Sequence, residues 1–472
     1  MRELGVGLVY WAALDPLFRS RDSVISVVEL EPQALWEKVA DEAGWHYRAN
    51  PFLLDRVASL PQAKLLHGVG HPIGGTVPDP VPHIPLLREA VDRLDPAWVS
   101  EHLSFNRVQR RGTVQHAGFL LPPPQSAAAV RLAAQRIAEM RQALARPMAF
   151  ETGVNYLRPV NGEMNDGDFF GAVAHAADSG IVLDLHNLWC NQRNGRQSVA
   201  EALDRIPLDR VWEIHLAGGM EMSGFWLDAH SGAVPAEVMD IAAGVIPRLS
   251  NLGALIFELL PEHLAQIGLD GVQRQLERLQ QLWRLRPPRG ITVPASSCRS
   301  PCTSADVAEV GMWETALVDA IRVRPSSGPA GASLHGDPGC ALLHELVADF
   351  RRANLARTLH YSMTALLAGL GAQSTCELLE CYFDSHAPDP FAAVEADRFA
   401  HFLQTRLQRI PQVRYLDEIL AFEHALIRAT VHRVSSEIVW STDPTILFEA
   451  LDAGTLPPPL PAVPSTMRIC AS

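Results

Sequence analysis

Positive charge is scarce in this chain of 472 residues: Lys and Arg number 40 against 53 Asp and Glu, lysine occurs only at Lys38 and Lys64, and the net charge is −13. General nucleic-acid binding usually requires a basic face, so this balance argues against it. Apolar runs long enough to span a bilayer are also lacking. The start, MRELGVGLVYW, has neither the basic region nor the apolar core of a signal peptide. We therefore expect a cytoplasmic protein that binds neither nucleic acid nor membrane.

Cysteine is too sparse and too scattered for a disulfide framework, since seven residues are spread over the whole chain. This usage is typical of a reducing compartment. Cys298 and Cys302, in the segment CRSPC, are expected to be exposed thiols in a flexible segment, and Cys190 is expected to have no catalytic role. With 47% hydrophobic residues the chain can bury a sizeable core.

Eight short apolar runs in the first 260 residues are typical of buried parallel strands. Helical stretches separate them, and this alternation predicts a (β/α)₈ TIM-like barrel. One of these helices is predicted at Pro32–Ala43. The predicted strands are Gly5–Tyr10, Ser26–Glu31, Lys64–Val69, Trp98–Phe105, Met148–Gly153, Ile181–Asn187, Val211–Gly218 and Ala254–Leu260.

The chain is too long for the barrel alone, which needs about 250 residues. Residues 1–285 are predicted to form the barrel. Residues 286–340, rich in Pro, Gly, Ser and Arg, are predicted to be a partly disordered linker with one short helical piece at Ala308–Ile321. Residues 341–472 are predicted to form a mainly helical second domain, with one β-like stretch at Arg433–Ser441.

Metal-binding side chains stand at or near the ends of the last six predicted strands. The loop after the seventh strand adds Asp228 and His230, and the end of the sixth adds His186 and Asn187. A parallel barrel gathers these ends around one mouth. Histidines and carboxylates without thiolate suit iron, manganese or catalytic zinc, and they are too many for a single ion. The six at the strand ends are His67, His102, Glu151, Asp184, His215 and Glu258.

Six segments around these positions carry a family resemblance. In combination they resemble the multinuclear non-haem iron-dependent oxidases (MNIO), which include the methanobactin-biosynthesis oxidase. The resemblance covers about Leu4–Arg284. The segments are SEHLSF (Ser100–Phe105), FETGVNYL (Phe150–Leu157), LDLHNLWCN (Leu183–Asn191), EIHLAGG (Glu213–Gly219), LDAHSGAVP (Leu227–Pro235) and FELLP (Phe257–Pro261).

The resemblance implies two or three irons of mixed Fe(II) and Fe(III) state that use O₂ to oxidise a ribosomally made precursor peptide, most often at cysteine. Glu151, His102 and Asp184 would be catalytic. His186 departs from the family, in which many members have asparagine. By the same resemblance His67, His102 and Glu151 would hold one iron; Glu151, Asp184, His215 and Glu258 a second; and Asn187, Asp228 and His230 a third.

The C-terminal region is similar to the partner proteins that accompany these oxidases. The similarity lies in Leu359–Gly371, Ala396–Leu426 and Asp443–Pro461. It implies a fused domain that binds the leader of the precursor peptide. The stretch Arg433–Ser441 is a candidate edge to which an extended leader could add as a strand, with an ordinary strand of a small sheet as the alternative.

Two other functions fit the same residues. Barrels of the sugar-isomerase or endonuclease kind also place His, Glu and Asp at strand ends, and they use zinc, manganese or magnesium without redox chemistry. A non-catalytic peptide-binding protein would use only the C-terminal region.

Overall fold

The computed structural model of this protein describes residues 2–20, 23–41, 44–77, 83–110, 112–288, 300–322, 328–410 and 412–471. These residues form two compact units. The first comprises Met1–Trp36, Ala49–Val114 and Leu120–Leu342, and the second comprises Glu37–Arg48, Gln115–Phe119 and Leu343–Ser472.

The first unit is built on a closed barrel of eight parallel strands, as the alternation of apolar runs and helices predicts. All eight predicted strands are confirmed, and most end one to three residues earlier than predicted. Each strand pairs with its neighbours in sequence, and the first pairs with the eighth. The strands are β1 (Gly5–Val9), β2 (Val27–Leu30), β3 (Ala63–Gly68), β4 (Val99–His102), β5 (Met148–Glu151), β6 (Gly180–Asp184), β7 (Val211–Ala217) and β8 (Ala254–Glu258).

Apolar side chains from most of the strands fill part of the barrel, because buried parallel strands leave no face for water. One buried cluster joins Val9, Val27, Ala149 and Ile256 with the ring of Trp98. The Trp98 indole also donates a hydrogen bond of 2.8 Å to a carboxylate oxygen of Glu213. These side chains therefore fill this part of the barrel interior, so the barrel is not an open pore.

Helices connect the strands, as the alternation of apolar runs and helical stretches predicts. Ser126 caps the helix Ala127–Leu144, which connects β4 to β5. Its hydroxyl accepts a hydrogen bond from the backbone amide of Ala129. The α-helices of the first unit are Asp15–Arg19, Pro51–Ala58, His83–Leu94, Ala127–Leu144, Asp166–Ala177, Leu185–Arg193, Val199–Leu203, Ala236–Val245, Leu264–Trp283, Ser304–Ile321, Gly328–Leu334 and the start of Pro338–Thr358. Two antiparallel strand pairs, Phe105–Arg110 with Thr113–Leu121 and Met220–Met222 with Phe225–Leu227, also interrupt the connections.

The helix predicted at Pro32–Ala43 is wrong. A short 3₁₀ turn is followed there by the strands Trp36–Asp41 and Gly44–Ala49, which pair in a two-stranded sheet. The ring of Tyr47 packs 5.3 Å from that of Phe391, which lies far along the chain within the same unit. Such a distant contact stabilises the strand but is invisible to local periodicity.

The segment predicted as a linker contains a well-anchored helix, Ser304–Ile321, which belongs to the first unit. Thr303 and Asp306 form a capping box at its start, and Arg131 binds the Asp306 carboxylate with two hydrogen bonds. The helical piece predicted at Ala308–Ile321 is therefore confirmed, and it begins four residues earlier than predicted. Cys302 is partly buried, whereas Cys298 lies outside the described residues.

The second unit is mainly helical, as predicted. Its core joins Tyr382, Phe399 and Trp440 with many smaller apolar side chains. The predicted β-like stretch forms the strand Ser436–Trp440, which pairs antiparallel with Ser465–Ile469. The α-helices of the second unit are the remainder of Pro338–Thr358, His360–Leu370, Ala372–Ser385, Ala392–Gln404, Leu416–Val431 and Pro444–Asp452. No helix of the described part of the chain combines the length and the hydropathy that crossing a bilayer would need.

We expect the stability of the first unit to fall with rising pH because of Glu314, which lies buried on the helix Ser304–Ile321. Burial raises the pKa of Glu314 from 4.5 to about 7, although hydrogen bonds from the amide and hydroxyl of Thr76 oppose the change. Between these values the unfolded chain loses a proton that the folded chain keeps, which lowers the free energy of unfolding by about 3 kcal/mol.

The Glu314→Gln variant should lack this dependence. Its melting temperature should be closest to that of the unchanged protein at pH 4.5 and should exceed it by a growing margin up to pH 7.5. Glu309→Gln, at an exposed position of the same helix, is the matched control. If the melting temperatures of the unchanged and Glu314→Gln proteins change with pH by the same amount across this range, the assignment is wrong.

Candidate metal centre

His67, His102 and Glu151 converge at the ends of β3, β4 and β5. The Nε2 atoms of both histidines lie 3.0 Å from Oε2 of Glu151. The register of the barrel causes this convergence, because His102 lies directly opposite Glu151 across the β4–β5 pair. Both histidines are held from behind: Nδ1 of His67 is 2.8 Å from the Ser100 hydroxyl, and Nδ1 of His102 is 2.9 Å from the Gly68 carbonyl. This backing is typical of metal-ligating histidines, since it leaves the Nε2 lone pair for a metal.

Asp184 and Asn187 meet at the junction of β6 and the helix Leu185–Arg193. Asp184 is the N-cap of that helix, and its Oδ1 accepts a 2.6 Å hydrogen bond from the Asn187 amide. Its second oxygen, Oδ2, is buried without a hydrogen-bond partner. The side-chain nitrogen of Asn187 donates to Oε1 of Glu151 at 3.2 Å, which leaves the Asn187 Oδ1 buried and unpartnered. The helix start thus holds two buried oxygen atoms without a hydrogen bond beside Glu151.

His215, near the end of β7, lies between two carboxylates. Its Nδ1 is 3.3 Å from Glu258 Oε1 at the end of β8, and its Nε2 is 3.2 Å from Glu29 Oε1 on β2. The β6–β7 register places His215 opposite Asp184. Burial alone would lower the pKa of His215, but the charges of Glu258 and Glu29 raise it well above the ordinary histidine value.

Asp228 and His230 come from the loop after β7 and reach the same mouth. His230 Nε2 lies 3.2 Å from Asp228 Oδ1 and 3.5 Å from Glu258 Oε2. His230 has a positive φ of 46°, a conformation that costs energy for a side chain larger than glycine and that often marks functional loops. Together with Asp184, these residues join the third group of predicted ligands to the second.

His186 is held by hydrogen bonds at both ring nitrogens. Its Nδ1 lies 3.0 Å from Asp228 Oδ1, and its Nε2 accepts a 3.2 Å hydrogen bond from the Trp226 indole. The ring is fully buried, and a side chain with both nitrogens occupied has no lone pair left for a metal. His186 therefore orients Asp228. Gly219 makes this possible, since a Cβ there would lie 2.5 Å from the Trp226 nitrogen and 2.7 Å from that of His186.

The mouth concentrates buried negative charge. The ion-pair partners of Glu151, Asp228 and Glu258 in the described structure are all histidines. Burial raises the pKa of Asp184 far above its ordinary value, and the neighbouring Asp228 and Glu151 charges raise it further. Burial alone would lower the pKa of His102. The charge of the Glu151 carboxylate is the main opposing cause, and it raises this pKa to about 10. Such a site is electrostatically incomplete, because its carboxylates attract more positive charge than the side chains supply.

Unpartnered buried atoms give an independent test of whether metal ions fit. A buried polar atom without a hydrogen bond costs about 1–3 kcal/mol, so a cluster of them at one place points to a missing ligand. Four groups of three residues in the barrel have ligand atoms within 4.8 Å of one another, and Glu151, Asp184, His215 and Glu258 are each shared by two groups. The residues fit a cluster of more than one ion. Among the described residues, Asp184 Oδ2 and Asn187 Oδ1 have no hydrogen bond. Five further buried atoms have no hydrogen bond and only ion-pair contacts of 3.2–3.8 Å: His215 Nδ1, His230 Nε2, Glu258 Oε2, Glu29 Oε1 and Glu213 Oε1.

The structure brings every predicted ligand to this mouth and adds one that the sequence analysis missed. Glu29 forms a three-residue group with His215 and Glu258. The signal was present, because a carboxylate within the apolar strand VVEL is costly to bury and so indicates a function. Cys190 is buried with its sulfur 3.7 Å from the His186 ring, and burial raises the pKa of its thiol, which argues against a reactive thiolate.

Comparison with known proteins identifies relatives of the barrel. Residues 23–259 match the family model described as RiPP precursor modification enzyme MbnB/TglH/ChrH. A UPF0276 protein of Chromobacterium violaceum is 34% identical over 229 residues, which cover 48% of this chain and 81% of that protein. A UPF0276 protein of Neisseria meningitidis serogroup C is 33% identical over 261 residues, covering 55% of this chain and 88% of that protein. Among solved structures, D-psicose 3-epimerase from Clostridium cellulolyticum H10 is similar with a TM-score of 0.40 and 9% identity, over 60% of this chain and 99% of that one.

We expect Gly219→Ala and Trp226→Phe to weaken metal binding without removing any ligand. Both changes break the Trp226–His186 hydrogen bond and free Asp228 to move, and the loss of such a supporting contact typically lowers metal affinity about 10- to 100-fold. Metal retained after gel filtration, measured by inductively coupled plasma mass spectrometry, tests this. The control is Gly244→Ala, where an added Cβ meets no atom within 4 Å. Unchanged metal content in both variants would show that His186 does not position a ligand.

Proposed function

Since this chain belongs to the RiPP precursor modification enzyme family MbnB/TglH/ChrH, we propose that it is an O₂-dependent multinuclear iron oxidase acting on a cysteine of a ribosomally made precursor peptide. One observation supports this most strongly: the barrel mouth gathers buried histidine and carboxylate ligands, many with an unpartnered atom, in overlapping groups. We place the reaction in the cytoplasm, where precursor peptides are made.

The donor set suits iron. Imidazole and carboxylate ligands without thiolate are typical of non-haem iron sites, and iron bound here would supply O₂-dependent redox chemistry and stabilise the substrate thiolate. His67, His102 and Glu151 would hold one ion. The second and third would share Asp184, His215 and Glu258, with Asn187, Asp228 and His230 completing the set.

The protein itself contributes position. We propose Glu151, His102 and Asp184 as the residues nearest the reacting atoms. Glu151 contacts both His67 and His102 through one oxygen and Asn187 through the other, so it would help to hold two of the ions. Because the histidines are fixed by the backbone and by Ser100, the ligands are held in place before the substrate binds.

We propose that the second unit binds the leader of the peptide. The strand Ser436–Trp440 pairs with Ser465–Ile469 on one side, and the two strands form a two-stranded sheet in the described structure. Its Trp440 and Ile438 are buried, whereas Val439 is 68% exposed, an unusual placement for a β-branched apolar residue unless it meets a partner. An extended peptide could add to the remaining edge. Covalent linkage to the barrel would keep the captured peptide at high local concentration.

We expect His102→Ala and Glu151→Gln to lower the iron content and to abolish modification of the peptide. The test is co-expression with the short peptide encoded beside this gene, followed by mass spectrometry of that peptide and iron analysis of the protein. His175→Ala, on a connecting helix away from the mouth, is the control and should leave both measurements unchanged.

Two results would contradict the proposal. An iron-replete His102→Ala protein that still changes the mass of the peptide would remove the assigned ligand set. Anaerobically purified protein that holds only zinc, manganese or magnesium, with no iron signal in a Mössbauer spectrum, would favour the non-redox barrel.

We expect Val439→Asp to weaken binding of the leader peptide at least tenfold, a loss of about 1.4 kcal/mol, because it places a charge in the proposed interface. Binding is measured by fluorescence anisotropy with the labelled peptide. The matched control is Ile446→Asp, which adds the same charge at an exposed apolar position of the neighbouring helix Pro444–Asp452. Equal binding by the unchanged and Val439→Asp proteins would place the leader elsewhere.

A further inference from the structure

A second group of metal-binding side chains lies in the C-terminal unit. Asp397 and His401 are four residues apart on the helix Ala392–Gln404, and this spacing puts them on one helix face. His424 comes from the helix Leu416–Val431, which packs against the first, and His432 follows directly after that helix. Asp397, His401 and His424 each offer a ligand atom within 4.8 Å of the others.

The distances centre on the carboxylate of Asp397. His424 Nε2 lies 2.9 Å from its Oδ1, and His432 Nε2 lies 3.7 Å from the same oxygen. His401 Nδ1 lies 3.9 Å from Oδ2. His424 is 9% exposed and Asp397 16%, so these two side chains are largely sheltered from water, whereas His432 is 27% and His401 62% exposed.

A plain ion pair does not explain this arrangement. One carboxylate can balance one protonated imidazole, but here three imidazoles surround a single carboxylate. The rings of His401 and His424 approach to 4.8 Å between centroids, where two positive charges would repel. Neutral imidazoles gathered around one carboxylate are instead the ligand chemistry of zinc and related divalent ions.

The surrounding hydrogen bonds also fit metal binding. His401 Nδ1 is 2.8 Å from the backbone carbonyl of Asp397. In the tautomer with the proton on Nδ1 this contact is a hydrogen bond, and Nε2 is then the nitrogen that offers a lone pair. The side-chain amide of Gln404 is 3.3 Å from His424 Nδ1. A flip of the Gln404 amide exchanges its oxygen and nitrogen, so its oxygen can accept a hydrogen bond from Nδ1–H of His424 when Nε2 binds a metal.

We propose that Asp397, His401 and His424 form a binding site for Zn²⁺ or a chemically similar divalent ion. His432, whose Nε2 lies 3.7 Å from Asp397 Oδ1, is the candidate for a fourth ligand. This ion links two helices of the C-terminal unit and anchors the chain four residues before the strand Ser436–Trp440. The site shares no residue with the barrel mouth and does not depend on the oxidase function.

The test uses full-length protein equilibrated with Zn²⁺ and then freed of excess metal. We expect His401→Gln and His424→Gln each to retain about one zinc equivalent less than the unchanged protein, because a site with a missing ligand binds far more weakly. His360→Gln, an exposed histidine of the same unit, is the matched control and should lose none. Zinc-edge X-ray absorption of the unchanged protein, compared with His401→Gln, should show that the lost ion has nitrogen and oxygen ligands and no sulfur.

His401 is 62% exposed, so its replacement should not disturb folding, which circular dichroism verifies. Equal zinc content in the unchanged and His401→Gln proteins would overturn the proposal. Sulfur ligation of the lost ion would also overturn it. Iron content and peptide modification are read separately, so that a failure of the oxidase proposal leaves this result interpretable.

Discussion

Buried negative charge at the mouth of the barrel is the constraint on which the site depends. Carboxylates cannot remain ionised in an apolar interior unless something positive faces them. Here the histidines at the strand ends do so only in part, and several oxygens stay without a partner. The strand register sets which residues meet, because each pair of neighbouring strands aligns the residues at their ends. The metal ions proposed for this mouth would supply the missing positive charge.

The eight strands and their ligands could be predicted from local signals. Buried strands appear as apolar runs, and a polar residue at the end of such a run stands out, as His102 and Asp184 do. Residues deep in the barrel were harder to recognise. Glu29 lies in the middle of β2, and only its contact with His215 across the barrel reveals its relevance.

Two elements depend on contacts that local signals do not contain: the strands that replace the wrongly predicted helix, and the helix of which only Ala308–Ile321 was predicted. The paired strands that replace the helix predicted at Pro32–Ala43 contact a ring more than 300 residues away in sequence. The helix Ser304–Ile321 depends on Arg131 and on the Pro122 carbonyl, which accepts a hydrogen bond from the Trp313 indole. Periodicity and composition see only neighbours in sequence, whereas these elements are stabilised by distant partners. His186 is a similar case. Its two hydrogen bonds, and not its residue type, show that it supports the candidate ligand Asp228.

The raised pKa values of the mouth histidines couple metal uptake to acidity. Burial alone would lower the pKa of all three histidines. The neighbouring carboxylates outweigh it: they raise the pKa of His102 to about 10 and those of His215 and His230 well above the ordinary value. His102 therefore holds a proton at neutral pH and must release it before its nitrogen can bind a cation, and the raised pKa values of His215 and His230 act in the same direction. Filling the mouth with metal acidifies the medium. The heat of filling then depends on the ionisation enthalpy of the buffer, and a cell with a falling internal pH would hold more of this protein empty.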